Sequence, residues 1–82
     1  MSERDDLIQE MEARIDEANA EIERMKESDA AEGRKLDALR AKRQEAVELL
    51  EEIRMAGDDA LAVVRLKMSN VWEEFDAMIR AA

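Results

Sequence analysis

Apolar side chains recur along this chain at alternating steps of three and four residues: Ile8, Met11, Ile15, Ala18, Ile22 and Met25. Carried on without a shift, the same register reaches Leu36, Leu39, Ala46, Leu50 and Ile53, with Asp29, Glu32 and Arg43 as its polar members. An apolar repeat of 3.5 residues sustained that long marks helices that pack on one another with a left-handed supercoil. The expected class is therefore all-α, and the expected packing is that of a coiled coil.

Composition decides what such a helix needs. Proline is absent and only two glycines occur, so almost nothing interrupts a helix. Yet Leu, Ile, Val and Phe together number only seventeen of the 82 residues, while fourteen alanines raise the hydrophobic fraction to 46%. Beside a net charge of −9, that supply of large apolar groups lies near the composition of chains that stay unfolded alone. A domain this small also buries only a modest part of its surface. The expectation is that partner helices complete the core: a homo-oligomer, dimer first, or a complex with an unidentified protein.

After Ile53 the register would place Gly57, Lys67 and Glu74 on the seam. The apolar residues instead follow Leu61, Val64, Met68, Val71, Phe75 and Met78, a frame displaced by four. Gly57 suits a left-handed position at a helix end, Arg54 suits the last turn before it, and Asp58 or Asp59 suits the next N-cap. A second break is offered at Ser28–Gly33, where Asp29-Ala30-Ala31-Glu32 has the spacing of a capping box.

Breaking only at Gly57 predicts a single domain over 1–82, an oligomeric helical hairpin. In it a long coiled-coil helix spans about 3–56, a turn or kink lies at 56–59, and a shorter helix over about 58–81 folds back. This is the preferred architecture, because the register survives Ser28–Gly33 unchanged. Breaking at both places gives a three-helix bundle, and a stutter at Gly57 gives one continuous helix. Length separates them: roughly 110 Å for the rod, about 80 Å for the hairpin and about half that for the bundle.

The last helix is apolar over more than one stripe, with Val63, Leu66, Trp72 and Ile79 beside its seam. Such width fits a helix packed against two neighbours. It would also fit a helix lying in a lipid interface, but that setting favours Lys and Arg on the polar face. Here Arg65, Lys67 and Arg80 stand against five acids, which favours burial in a bundle.

Residues 1–32 hold twelve acids and four bases, whereas residues 33–56 hold five acids and six bases. An acidic first third and a basic middle favour antiparallel contact between them, within or between chains. Acid-first pairs such as Glu10 with Arg14, Glu21 with Arg24, Asp37 with Arg40 and Glu51 with Arg54 mark helix faces in water. A net-acidic surface argues against nucleic acid as a partner. Charges run throughout the first twenty residues, and the longest uncharged stretches, Ala60–Val64 and Met68–Trp72, are five residues long. Neither a signal peptide nor a membrane span is expected, and the cytoplasm is the default location.

Chemistry has few places to reside. With no histidine and no cysteine, the commonest general base, metal ligand and thiol nucleophile are all missing. Ser2, Ser28 and Ser69 lack a histidine partner, Gly33 and Gly57 are solitary, and the adjacent Asp58 and Asp59 do not make a calcium loop. No enzyme activity, metal or cofactor is expected. The residues expected to carry function are instead interface residues. These are Ile8, Met11, Ile15, Ile22, Met25, Leu36, Leu39, Leu50 and Ile53 on the first seam. On the second they are Leu61, Val64, Met68, Val71, Trp72 and Phe75, with Trp72 as a core anchor.

Leu39-Arg40-Ala41-Lys42-Arg43-Gln44-Glu45-Ala46, Leu50-Glu51-Glu52-Ile53, Ala56-Gly57-Asp58-Asp59-Ala60 and Val71-Trp72-Glu73-Glu74-Phe75 follow in order. Together they resemble the small bacterial coiled-coil proteins of a stress-response family, loosely called apolipoprotein-like. That family tends to carry an aromatic after its Ala-Gly-Asp-Ala element and another eleven residues on; here those positions hold Leu61 and Trp72. The resemblance implies a cytoplasmic coiled-coil protein linked to stress, with no established activity. Taken with the residues, it sets the functional expectation as a non-enzymatic structural or protein-interaction protein acting through helix–helix oligomerisation. The alternative is an amphipathic protein that binds lipid or membrane surfaces.

Overall fold

Ser2 starts the first helix. Its Oγ accepts a hydrogen bond from the Asp5 N–H at 3.2 Å, and its carbonyl accepts one from the Asp6 N–H at 3.1 Å. Two of the donors that a helix N-terminus leaves unpaired are thereby satisfied. Glu3, Asp5 and Asp6 in the first turn and Arg24 and Lys26 in the last place charges where the helix dipole favours them. The result is α1, Glu3–Glu27. The structure, a computed structural model, describes residues 2–27 and 33–80.

α2 runs over Gly33–Ala56 and α3 over Leu61–Arg80, joined by a 3-10 turn at Gly57–Ala60, so the chain is helical throughout from Gly33 to Arg80. Among the described residues there is no strand. Gly57 makes the reversal. Its φ of +72° lies in the left-handed region, which costs other residues roughly 1–2 kcal/mol. A Cβ there would also sit 3.3 Å from Nη1 of Arg4. The turn expected at 56–59 is thus present, but Asp58 and Asp59 are not N-caps. Both lie inside the 3-10 turn, exposed, and the residue before it, Ala56, makes no side-chain cap.

α2 is the central helix, antiparallel to α1 on one side and to α3 on the other. Arg54 near its end bonds Glu12 of α1 at 3.2 Å, and Lys42 in its first half pairs with Glu74 of α3. α1 and α3 run parallel, tied by Arg14 and Asp76 at 3.3 Å. The acidic first third thus lies along the basic middle, as the charge pattern favours.

The single helix expected over 3–56 is overturned. Such a helix would be about 80 Å long, whereas the molecule measures 41 × 18 × 18 Å, and residues 12 and 54 touch. The physical reason is that the stripes of α1 and α2 can cover each other in one chain once the helix is interrupted. The break and capping box offered at Ser28–Gly33 fall mostly on residues 28–32, outside the described ones.

Apolar burial forms two clusters. At the Gly57 end, Leu7, Met11 and Ile15 of α1 meet Ala46, Leu49, Leu50 and Ile53 of α2 and Val64, Met68 and Val71 of α3. At the other end, Ala18 and Ile22 meet Leu39 and Phe75. Each large aliphatic taken from water contributes about 1.5–3 kcal/mol, which offsets the ordering of the helices that carry it. No polar or charged residue is buried among the described ones.

Candidate functional site: the α1–α3 groove and the outer face of α3

α2 interlocks closely with both neighbours, but α1 and α3 are held apart by the side chains between them. Three depressions line up along that seam. The first is bordered by Glu3, Leu61, Ala62, Arg65, Leu66 and Ser69. The second shares Arg65 and Ser69 and adds Leu7, Met11, Met68 and Trp72. The third shares Arg14 and Trp72 and runs on past Ala18, Phe75 and Asp76 to Ile79. They form one groove with an apolar floor and a charged rim.

Trp72 and Arg14 divide it. The Trp72 ring stands edge-on to Phe75, with ring centres 6.0 Å apart and planes at 86°, the T-shaped arrangement that ring quadrupoles favour. The Arg14 guanidinium lies 5.0 Å from the Trp72 ring centre and bonds Asp76 across the seam and Glu17 on its own helix at 3.5 Å. A cation over an aromatic face is attracted by the ring's negative quadrupole. Arg14 therefore acts as a strap across the middle of the groove, not as the i,i+4 partner of Glu10.

The second feature is the outer face of α3. Leu66 is 66% exposed and Val63 50%, and on α2 Met55 is 89% exposed; among the described residues these are the large hydrophobics left in water. Ala62 and Ala77 lie on the same side of α3, also exposed. Arg65 and Lys67 flank Leu66. Neither makes an ion pair among the described residues.

The sequence-derived interface residues fall into two sets. Met11, Ile15, Ile22, Leu39, Leu50, Ile53, Val64, Met68, Val71 and Phe75 are buried within one chain, and Ile8, Met25, Leu36, Leu61 and Trp72 are partly buried against them. The seams expected to meet across chains therefore already meet inside this one. Sequence reasoning left out Leu7 and Leu49, both buried. Leu7 lies four residues before Met11, and Leu49 adjoins Leu50, so a wider stripe would have caught both. Val63 and Leu66, read as part of a buried face, are instead the exposed ones.

Among the described residues no helix is long and apolar enough to cross a membrane, and no three metal-ligating side chains converge. The titration that departs from the ordinary among the described residues is that of Lys42, raised chiefly by its hydrogen bond to Glu74. No protein-family model, curated protein or solved structure matches this chain.

Proposed function

We propose that this chain is a non-enzymatic helix-docking protein that works by presenting α3, and the groove beside it, to another helix. The observation that carries the reading is Leu66, 66% exposed in a chain that is otherwise economical with large aliphatics. An exposed apolar patch rimmed by charge is the usual mark of an interaction surface. Association by coiled-coil-like helix packing, in the cytoplasm and in a stress-linked setting, follows the resemblance of residues 39–75 to the coiled-coil stress-response proteins.

The test is light scattering over a range of protein concentrations, with Leu66→Glu beside the wild type. Concentration-dependent association that Leu66→Glu abolishes, while helical circular dichroism persists, supports the reading. A wild-type chain that stays monomeric and captures no helical partner overturns it.

A lipid surface is the second reading, favoured by one feature: Arg65 and Lys67 sit on either side of Leu66, as in helices that lie at a membrane interface. Flotation with anionic vesicles separates the two. Under the docking reading the chain stays out of the lipid fraction and Trp72 emission is unchanged; under the lipid reading it floats and the emission shifts to the blue.

A further inference from the structure

α3 carries its charges in a polarised order, Arg65 and Lys67 in its first half and Glu73, Glu74 and Asp76 in its second. Its outermost stripe reads Ala62, Leu66, the pair Ser69 and Asn70, Glu73 and Ala77, all exposed. At 3.6 residues per turn, Arg65 and Asp76 lie on one flank of that stripe and Lys67 and Glu74 on the other. We propose that a second copy of this chain covers the stripe, α3 against α3 in antiparallel order, with a two-fold axis passing between Ser69 and Asn70. This deepens the docking reading above and rests on it.

The charge order selects both partner and direction. A two-fold interface uses the same patch twice, each residue i meeting j while j meets i. Reversal about the Ser69–Asn70 level sets Ala62 opposite the partner's Ala77, and Leu66 opposite the partner's Glu73, whose methylenes can cover it. It also places Arg65 on the same flank as the partner's Asp76, and Lys67 on the same flank as the partner's Glu74. Each pair is about 3 Å apart along the axis at 1.5 Å per residue. Asp76 and Glu74 already bond Arg14 and Lys42, but a carboxylate has lone pairs for further donors. Parallel order would instead set Arg65 beside the partner's Lys67 and Glu73 beside the partner's Glu73, and such like-charge contacts oppose association. The small side chains at Ala62, Ser69 and Ala77 leave room for the two helices to approach.

The experiment uses two double variants, Arg65→Glu with Lys67→Glu, and Glu74→Lys with Asp76→Lys. Each alone makes the two halves of α3 like-charged, so each is expected to be monomeric where the wild type is dimeric. Mixed, they restore both sets of opposite charges, and sedimentation should show a mixed dimer. Helical circular dichroism confirms that each is folded. Should either fail to fold, disulfide trapping decides, because the chain has no cysteine of its own. Asn70→Cys should then cross-link to itself readily and Ala62→Cys should not, whereas Ala62→Cys mixed with Ala77→Cys should. Variants that dimerise alone, no dimer on mixing, or self-linking at Ala62→Cys would overturn the antiparallel α3 pairing while leaving the docking reading in place. A wild type that is monomeric at every concentration would remove the pairing, and it would remove the docking reading too only if no helical partner is captured.

Discussion

The two ends of the bundle are made of different material. At the Gly57 end all three helices contribute close-fitting aliphatics, and Met11, Ile53 and Val64 are almost wholly dry. At the other end Ala18, Ile22, Leu39 and Phe75 are buried, while Met25, Leu36, Trp72, Met78 and Ile79 are only partly covered. The first end also has the continuous 3-10 link between α2 and α3. Local opening free energy follows buried apolar contact. The Gly57 end should therefore hold the fold, while the Phe75 end opens first and gives the groove its adaptability.

The sharpest way to break this contrast is to cut the core at each end. Ile53→Ala removes a fully buried side chain from a site walled on all sides, and should cost about 4 kcal/mol, within the range for such truncations. Ile22→Ala at the half-wet end should cost about 2 kcal/mol, because neighbours and water can fill the space. Urea denaturation measures both, and equal losses would erase the distinction. Next comes Gly57→Ala. It forces a side chain into the left-handed region and against Arg4, so a loss of about 1–2 kcal/mol is expected. The same change at Gly33, where a Cβ meets nothing within 4 Å, should leave stability unchanged or raise it.

Much of this contrast was legible in the residues, and the part that was not has a physical cause. The stripe through Met11, Ile15, Ile22, Leu39, Leu50 and Ile53, and the displaced frame through Val64, Met68, Val71 and Phe75, name most of the core. Gly57 at the register shift pointed to the turn, because a left-handed helix end favours glycine, although a stutter in one continuous helix would shift the register equally. What the register could not say is which helix covers which. A 3.5-residue repeat serves a long coiled coil and a three-helix bundle alike, so its survival across residues 28–33 carried no information about continuity. The groove was illegible for a related reason. Arg14 and Trp72 are 58 positions apart in sequence, and only the parallel alignment of α1 with α3 brings them together. Leu66 was misread because a wide apolar face looks the same whether its edge is covered or left for a partner.

Smaller effects probe the seams. Arg14→Ala removes the strap over Trp72 and should cost about 0.5–1 kcal/mol, the scale of an exposed cation–aromatic contact. Trp72 emission should move to longer wavelength as water enters the middle of the groove. If Arg14 instead does nothing but pair with Glu17, stability and emission will both stay where they are.

The smallest expected effect is a brace at the weaker end. Lys42 of α2 reaches Glu74 of α3 and Glu45 on its own helix at 3.2 Å. The hydrogen bond to Glu74 is the main reason its pKa is raised above the ordinary 10.5, with partial desolvation opposing and Glu45 adding to the rise. A cation whose folded-state pKa is raised stabilises the fold fully below its unfolded value and loses that contribution as the pH climbs through the folded one. The advantage of the wild type over Lys42→Met should therefore be constant through neutral pH and fade only above about 10.5. Hydrogen exchange locates the effect. Below that pH Lys42→Met should speed exchange of the amides around Phe75 and leave those around Val64 unchanged. Acceleration spread evenly along α3 would show that the two ends open together.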